Sequence, residues 1–520
     1  MPRRLGPVPI VTEPPHDRHR GGQRADGVRV YDLAVRRSLL YAVPLAALLA
    51  GCSPDPSPTT HASPSVTASP SPTGPDYAAW AAGRSTPVAD PLYPAYGHAD
   101  VDVLHYGLEL AWAPESKTLT GQATLRLRAV SDLTAVKLDF SGAYTLDGVT
   151  LNGATVAATI AEEDLSVPGT VAKDAFATVV VKYHGTPKTV PMPSHRADSE
   201  PLGLTVTKDG GLWTMQEPYG ASTWYPSNDQ PSDKALYDIA VTVPDGWSAV
   251  ATGAARPQEG NTFRYVAADP VATYLTTLAV GRYRKETAEG PHGIPLTYWT
   301  RQGTDDKLLP VIKKSPQLLG WLEQRFGAYP YATGGVVMVP SGSAMETAQM
   351  VTMGTPDYGT TKPAEIARYF EDDLLHEYAH HWFGDTVGPT TWKDLWLNEG
   401  WATYAQHLYS NERDKISAKQ WEEWARGVDA RLRGKLGPPG NPKAENFAES
   451  NVYMCPALML HQIHKQLGDD AFFALAREWA QQHRNTTQDR ASFIAFVNQQ
   501  TGKDFTALIN TWLDSPTTPK

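Results

Sequence analysis

The spacing of apolar residues changes once along this chain, and that change limits the possible folds. Between about residues 95 and 285, apolar and polar residues alternate in short runs such as 106–110 and 123–127, separated by Gly, Asp and Pro. Such alternation is typical of half-buried strands. From about residue 305 onward, apolar residues recur at helical spacing, as they do over 363–383. A strand-rich part followed by a helical part is therefore predicted.

The length of 520 residues exceeds what one ordinary core supports, so several domains are expected. We predict an α+β protein with an antiparallel, β-sandwich-like domain over 77–285 and a mainly helical domain over 286–516. A short apolar run at 335–340 predicts one strand inside the second domain. Helices are predicted over 308–326, 363–383, 394–408, 418–432, 456–467, 470–482 and 490–500.

The composition argues against nucleic acid as a partner. Hydrophobic residues make up 41% and charged residues 20%, which is ordinary for a globular protein. The net charge is −10, and no basic run is long enough to predict a nucleic-acid surface.

The first 52 residues have the pattern of an export signal. Arg36 and Arg37 precede an apolar run over 38–50, which is too short to span a bilayer and suits a signal peptide. The run ends in Leu-Ala-Gly-Cys, which resembles the bacterial lipoprotein box with Cys52 as the lipidated residue. A plain cleaved signal, twin-arginine export and a start codon further downstream remain alternatives.

We expect residues 1–52 to be the signal and lipoprotein box, and the Ser-, Pro- and Thr-rich stretch 53–76 to be a disordered tether. The protein would then be exported and anchored to the outer face of the cell membrane, or on the periplasmic side, by lipid alone. Lipid on Cys52 would rule out a disulfide with Cys455, since the chain has 2 Cys.

A metal-binding pattern lies in the second predicted helix, where residues 375–380 read Leu-His-Glu-Tyr-Ala-His. Helix positions four apart differ in direction by roughly 40°, so His376 and His380 point toward one ion. The neighbouring His381 is five positions from His376 and about 140° away, so we do not predict it as a ligand.

A catalytic zinc site usually takes three protein ligands and leaves a fourth position to water. Glu399, within Trp-Leu-Asn-Glu-Gly-Trp at 396–401, can supply the third ligand from the next helix. We predict one Zn²⁺ per chain, held by His376, His380 and Glu399. Glu377 is the predicted general base, activating zinc-bound water and passing the proton to the leaving amine. Thr403 and Asp385 are candidates for orienting the imidazoles.

With these residues in view, the stretch 376–404 resembles the central block of the aminopeptidase N family of zinc metallopeptidases. The matches are the zinc motif, Trp-Phe-Gly-Asp at 382–385 and Trp-Leu-Asn-Glu-Gly at 396–400. Ser-Ala-Met-Glu-Thr at 343–347 looks like the family's G-A-M-E-N exopeptidase loop. Thr-Met-Gln-Glu-Pro at 214–218 resembles the segment that closes around the amino end of the substrate.

This resemblance covers roughly residues 95–515 and implies a thermolysin-like catalytic domain. It also implies that Glu346 and Glu217 hold the free ammonium group of the substrate, as charge-assisted hydrogen bonds to two carboxylates would allow. Tyr453 would donate its phenolic hydrogen to the developing oxyanion.

The chain departs from the family pattern at several positions. Ser343 and Thr347 replace the Gly and Asn of the exopeptidase loop, and Cys455-Pro456 follows Tyr453 where the family has Lys-Gly. Pro456 suits a helix start, and Cys455 is expected to be a small buried hydrophobic residue. The sequence ends soon after Asp514, so we expect a more open cleft than in longer family members.

The sequence thus favours a zinc aminopeptidase that removes N-terminal residues from peptides with a free N-terminus, with no obligate protein partner inferred. A zinc endopeptidase using the open cleft is one alternative. A second alternative is a lipid-anchored binding protein with a silent metal site. A third is a hydrolase of a non-peptide substrate.

Overall fold

The computed structural model describes residues 77–196, 199–355 and 362–520. The predicted signal, Cys52 and the tether at 53–76 lie outside the described residues. In the part of the chain that is described, no helix has the length and apolarity needed to cross a bilayer.

The first half of the described chain consists of strands and short turns. Its strands are β1 (Val101–Ala113), β2 (Thr118–Ala129), β3 (Leu133–Asp139), β4 (Tyr144–Leu151), β5 (Ala154–Thr155), β6 (Thr159–Ala161), β7 (Asp164–Val171), β8 (Phe176–Gly185), β9 (Gly203–Val206), β10 (Leu212–Met215), β11 (Lys234–Thr242), β12 (Ser248–Ala251), β13 (Ala254–Glu259), β14 (Thr262–Ala272) and β15 (Leu278–Gly281).

These strands form three sheets. The largest has eight strands in the order β13-β14-β11-β1-β2-β8-β4-β5, and the others follow the orders β12-β15-β10-β9 and β3-β7-β6. Neighbours pair antiparallel except β1 and β11, which run parallel with His105 opposite Leu236. Alternate residues of β2, such as Leu125 and Leu127, are buried, because one face of the sheet covers the core. The predicted strand-rich domain is confirmed, with one parallel pair in an otherwise antiparallel arrangement.

The second half joins a small mixed sheet to a set of helices. Its strands are β16 (Tyr283–Glu289), β17 (Pro295–Arg301), β18 (Gly334–Met338), β19 (Ala344–Met345), β20 (Val351–Met353), β21 (Val387–Pro389) and β22 (Thr486–Gln488). Its helices are α1 (Leu309–Ile312), α2 (Ser315–Phe326), α3 (Pro363–His380), α4 (Trp396–Asp414), α5 (Ala418–Leu436), α6 (Asn451–Leu467), α7 (Asp469–Gln482), α8 (Arg490–Thr501) and α9 (Thr506–Asp514).

The mixed sheet has the order β16-β17-β18-β20-β19, and its last strand, β19, pairs antiparallel with β20. Strand β16 begins at Tyr283, so the predicted boundary between residues 285 and 286 falls within this strand. The predicted apolar strand near 335–340 corresponds to β18, all of whose residues are buried.

Several helix boundaries differ from those predicted: the helix predicted over 308–326 is divided into α1 and α2, and α4 and α5 extend to Asp414 and Leu436. Helix α3 ends at His380 and passes into a π-helical turn over His381–Asp385, where Phe383 leaves helical geometry and Gly384 adopts φ 138°, a conformation that favours glycine. The predicted start of α6 at Pro456 is wrong, because the helix begins at Asn451 and contains Pro456 in its interior. Helix α9 was not predicted.

Helices α4 and α6 approach closely where Gly400 faces Pro456. A Cβ atom at Gly400 would lie 2.7 Å from the Cβ of Pro456, so glycine is required for this approach. The contact explains an internal proline in α6, since its ring packs on a neighbouring helix where a larger gap would otherwise remain. It also sets the distance between the helices that carry Glu399 and Tyr453.

Candidate active site

The three predicted metal ligands converge on one point. Helix α3 contributes His376 and His380 from adjacent turns, and the first turn of α4 contributes Glu399. The Nε2 atoms of the two imidazoles are 3.1 Å apart, and Oε2 of Glu399 lies 3.2 Å from His376 and 3.4 Å from His380. Each of these residues is at most 9% exposed.

This triangle fits a zinc ion. Ligand atoms at the usual zinc distances lie roughly 3.3 Å apart in a tetrahedral arrangement, close to the three separations found here. Two imidazoles and one carboxylate form a donor set that catalytic zinc sites use, with a fourth position left for water or substrate. His376, His380 and Glu399 would therefore hold the metal.

A backbone carbonyl orients the second imidazole. Nδ1 of His380 donates a hydrogen bond to the carbonyl oxygen of Phe383 at 3.1 Å, which leaves Nε2 free to bind a metal. A Cβ atom at Gly384 would lie 3.0 Å from the same Nδ1, so the turn after α3 leaves space only for glycine. The sequence offered no side-chain signal for Phe383, because its contribution comes from the main chain.

Among the described residues, the two residues predicted to orient the imidazoles form no hydrogen bond with His376 or His380. Asp385 lies 3.5 Å from the hydroxyl of Tyr331 and 3.7 Å from Nε2 of His381. Oγ1 of Thr403 is buried without a hydrogen-bond partner among the described residues. His381 bonds the Tyr329 hydroxyl through Nδ1 at 2.9 Å, which agrees with its exclusion as a ligand.

Two carboxylates from different parts of the fold meet beside the metal ligands. Glu217 follows β10 in the strand-rich part, and Glu346 directly follows the edge strand β19. One oxygen from each, together with one from Glu399, lie within 4.8 Å of one another. Oε1 of both Glu217 and Glu346 is buried and has no hydrogen-bond partner among the described residues. Both atoms are therefore available to a donor from a bound molecule.

Side chains next to these carboxylates hold the backbone in place. The amide of Gln216 donates to the carbonyls of Thr273 and Thr276 at 2.8 and 2.6 Å and accepts from the Trp224 indole. The hydroxyl of Thr347, which stands where the family has Asn, lies 2.8 Å from the hydroxyl of Thr352 on β20. These bonds restrain the main chain on either side of the carboxylate pair.

Glu377 lies next to the first ligand on α3, and one of its oxygens lies within 4.8 Å of ligand atoms of Glu346 and His380. Burial, with the neighbouring Glu346 carboxylate, raises the pKa of Glu377 well above its usual range. A raised pKa suits a group that must both accept and release a proton near neutral pH.

The phenol of Tyr453 closes another side of the site. Tyr453 lies in the first turn of α6, and its ring stacks on His376 with 6.0 Å between the ring centroids. Burial raises the pKa of Tyr453 well above its usual value, so the hydroxyl keeps its proton. The Arg196 guanidinium donates a 2.8 Å hydrogen bond to the Tyr453 hydroxyl oxygen.

The site carries an excess of negative charge. The carboxyls of Glu217, Glu346, Glu377 and Glu399 are each at most 8% exposed. Burial and the Glu346 charge raise the pKa of Glu217. Although burial acts in the opposite direction, the His380 and His376 imidazoles hold the pKa of Glu399 below its usual range. Buried carboxylates need compensating cations, so the site suits a metal dication together with a cationic substrate group.

The sequence did not identify Arg196 as part of this site. The residue lies in a stretch between β8 and β9 that has no regular periodicity, and the order of residues carries no sign that it reaches α6. Gln406 is another residue that the sequence did not identify; it is buried on α4, and although burial lowers the pKa of His376, the Gln406 side chain acts to raise it.

Comparison with known proteins gives a family match for the helical part of the chain. Residues 311–512 match the peptidase family M1 domain. Aminopeptidase N of Streptomyces lividans is 24% identical over 445 residues, which cover 80% of this chain and 50% of that protein. Aminopeptidase N of Acetobacter pasteurianus is 28% identical over 58% of this chain and 88% of its own length. The chain thus spans about half the length of the Streptomyces relative.

Solved structures extend the match to both parts of the fold. A mutant M1 zinc metallopeptidase from Deinococcus radiodurans, bound to a Tyr-Ser-Ala substrate, is 27% identical with a TM-score of 0.74. The match covers 84% of this chain and 99% of that one. A structure described as a two domain M1 zinc metallopeptidase, bound to L-tryptophan, has a TM-score of 0.73 at 27% identity. The predicted fold class, a strand-rich domain followed by a helical zinc-peptidase domain, is confirmed. The chain therefore carries a peptidase family M1 domain over residues 311–512, and both parts of its fold are similar to solved M1 zinc metallopeptidases.

Proposed function

We propose that this protein is a zinc-dependent aminopeptidase that removes single residues from peptides with a free N-terminus. The observation that carries this proposal is the buried pair of Glu217 and Glu346, whose unpartnered oxygens lie beside the metal ligands. A buried pair of carboxylates binds an ammonium group well and a neutral, acylated amine poorly, because an unpaired buried charge is costly. The metal ligands alone would suit an endopeptidase equally.

The residues support a hydrolytic mechanism. Zinc bound by such a ligand set supplies Lewis-acid chemistry and makes water more acidic. The carboxylate of Glu377 accepts a proton from the attacking water and delivers it to the departing amine, so one residue both takes up and releases the proton. The Tyr453 hydroxyl donates a hydrogen bond to the oxygen of the attacked carbonyl as negative charge develops there. Glu217 and Glu346 place the first peptide bond at the metal by holding the N-terminus.

The proposal is tested with alanyl, leucyl and arginyl p-nitroanilides and their N-acetylated forms, each with and without a chelator. We expect cleavage of the free amines only, with loss of activity after chelation. Equal cleavage of the acetylated forms would contradict the proposal and favour a zinc endopeptidase. No cleavage of any substrate by zinc-loaded protein would favour the binding protein with a silent site.

Substitution of the carboxylate pair tests the same point residue by residue. Glu346→Gln removes a charge but keeps the size of the side chain, so kcat/KM for free amines should fall by roughly 10- to 100-fold, the value of one charged hydrogen bond. Glu365→Gln, on the exposed first turn of the same helix as the zinc motif, is the matched control and should retain activity.

We also propose that the protein is exported and anchored to the outer face of the membrane through lipid on Cys52. Support comes from the apolar run at 38–50 and the Leu-Ala-Gly-Cys sequence that ends it. Radiolabelled palmitate should be incorporated by the unaltered chain and not by Cys52→Ala when each is expressed in a bacterium. Release of the unaltered protein into the soluble fraction without label would contradict lipidation.

A further inference from the structure

A stretch of irregular chain, residues 190–196, crosses from the strand-rich part to the N-terminus of α6. Its first residue, Val190, pairs with Leu202 through backbone hydrogen bonds of 2.9 and 2.7 Å. Further along, the Pro193 carbonyl accepts from the Phe447 amide at 2.8 Å, and the His195 amide donates to Glu449 at 3.3 Å. This crossing segment (residues 190–196) is therefore held at its first residue by Leu202, and further along by the turn that precedes α6.

The last residue of the crossing segment reaches the site itself. Nη1 of Arg196 donates to the Tyr453 hydroxyl at 2.8 Å and to the Ala448 carbonyl at 3.0 Å. The guanidinium carbon lies 5.4 Å from the centre of the Tyr453 ring. Ala448 lies in the turn leading into α6 and has φ 50°, so one guanidinium nitrogen ties the phenol to the turn that sets the start of its helix.

The hydrogen bond between Arg196 and Tyr453 can be donated in one direction only. A guanidinium has five N–H donors and no acceptor, so the Tyr453 oxygen must accept from Arg196. The hydroxyl hydrogen cannot then point at Arg196 and must be directed to another acceptor. A phenol free of such a partner could rotate its hydrogen away from the substrate, and realigning it during the reaction would cost free energy.

We infer that Arg196 is a positioning residue for catalysis, which fixes the Tyr453 hydroxyl as a hydrogen-bond donor to the oxyanion. The inference rests on the proposed function, since it assigns Arg196 a role through the oxyanion donor of that reaction. It does not make Arg196 a ligand of the substrate.

A double-mutant cycle tests the inference. Arg196→Gln, Arg196→Lys, Tyr453→Phe and the Arg196→Gln/Tyr453→Phe double variant are compared on alanyl p-nitroanilide, with zinc content and melting temperature recorded for each. Tyr453→Phe should lower kcat by roughly 100-fold or more, as loss of an oxyanion donor does. Arg196→Gln should lower kcat by roughly 10- to 100-fold with little change in KM. The double variant should be no slower than Tyr453→Phe alone, because Arg196 has no phenol left to position.

Two comparisons separate this role from others. Arg196→Lys keeps one charged donor and should recover part of the lost kcat, while zinc content stays near one per chain in every variant. Arg325→Gln is the matched control, since Arg325 also lies over an aromatic ring, 3.8 Å from the Trp321 centroid, outside the site. It should leave kcat unchanged.

Several results would overturn the inference. Multiplicative losses in the double variant would show that Arg196 acts independently of Tyr453. A loss seen in KM for Ala-Ala and absent for Ala-Ala-amide would make Arg196 a ligand of the substrate carboxylate instead. If the unaltered protein is active but Tyr453→Phe is equally active, the inference fails while the aminopeptidase function stands. If the unaltered protein is loaded with zinc but cleaves no substrate, both the aminopeptidase function and the role of Arg196 are contradicted.

Discussion

At the scale of single residues, the site combines groups whose burial changes their acid–base behaviour. Glu377 and Glu399 are both buried, yet their pKa values move in opposite directions: Glu377 is surrounded by other carboxylates, whereas Glu399 contacts two imidazoles. These opposite shifts are consistent with the roles proposed for the two residues, proton transfer for Glu377 and metal binding for Glu399.

The first prediction concerns the general base. Glu377→Gln keeps the shape of the side chain but cannot accept a proton, so turnover should fall by about 10²- to 10⁴-fold. Zinc content measured by mass spectrometry should remain near one per chain, because Glu377 is not among the ligands. Normal turnover in this variant would refute the mechanism.

A second residue-scale prediction concerns pH. Burial lowers the pKa of His407, on α4, from 6.5 to about 3. As the pH falls below 6.5, the unfolded chain binds a proton that the native chain does not, so His407 destabilises the fold progressively until about pH 3. Between pH 7 and pH 5 this loss amounts to about 2 kcal/mol.

His407→Gln should therefore lose less stability than the unaltered protein between pH 7 and pH 5, as measured by chemical denaturation at each pH. His292→Gln serves as the control, since His292 has an exposed side chain. A pH dependence identical in the His407 variant and the unaltered protein would show that this imidazole does not drive acid sensitivity.

At the scale of elements, the turn after α3 is as important as the helix itself. The turn brings the Phe383 carbonyl back to Nδ1 of His380, and Gly384 makes that return possible with its φ of 138°. A residue with a Cβ atom would be strained there and would also press on the imidazole.

We therefore expect Gly384→Ala to weaken zinc binding by about 10- to 100-fold, the usual effect of disturbing a partner that orients a metal ligand. Competition with a chromophoric chelator would measure the change in zinc affinity. Gly434→Ala, on α5 where a Cβ atom meets nothing within 4 Å, is the matched control and should bind zinc normally. Unchanged zinc affinity in Gly384→Ala would show that the Phe383 contact does not matter for the metal.

At the scale of the whole molecule, a buried lysine ties the strand-rich part to the helical part. Nζ of Lys234, at the start of β11, donates to the carbonyls of Asp385 and Thr386 at 2.6 and 3.2 Å. Burial lowers its pKa to about 8, so the group still carries its charge at neutral pH. The contact holds the turn after α3 against β11 of the eight-stranded sheet.

Lys234→Met should destabilise the protein by on the order of 2 kcal/mol, because it leaves buried carbonyls without a donor. Denaturant unfolding would measure the loss. Lys137→Met, on an exposed position of β3, is the control and should change stability little. Equal stability of the Lys234 variant and the unaltered protein would mean that water or other donors satisfy these carbonyls.

Local periodicity was sufficient to predict the two histidine ligands and the general base beside them. His376, Glu377 and His380 lie on one helix, where the repeat of 3.6 residues per turn determines which side chains share a face. The strand-rich domain followed from alternation of the same local kind. Helix ends were less predictable: α6 begins at Asn451 and contains Pro456, whose ring packs against Gly400 of another helix.

The sequence by itself determined which side chains of a single helix or strand point the same way, and with it the zinc ligands on α3 and the order of the two domains. Only the tertiary structure decided that Glu217 meets Glu346, and that Arg196 meets Tyr453, since these partners are far apart in the chain. The physical reason is that side-chain direction within an element follows from backbone geometry, whereas distances between elements follow from packing across the whole core.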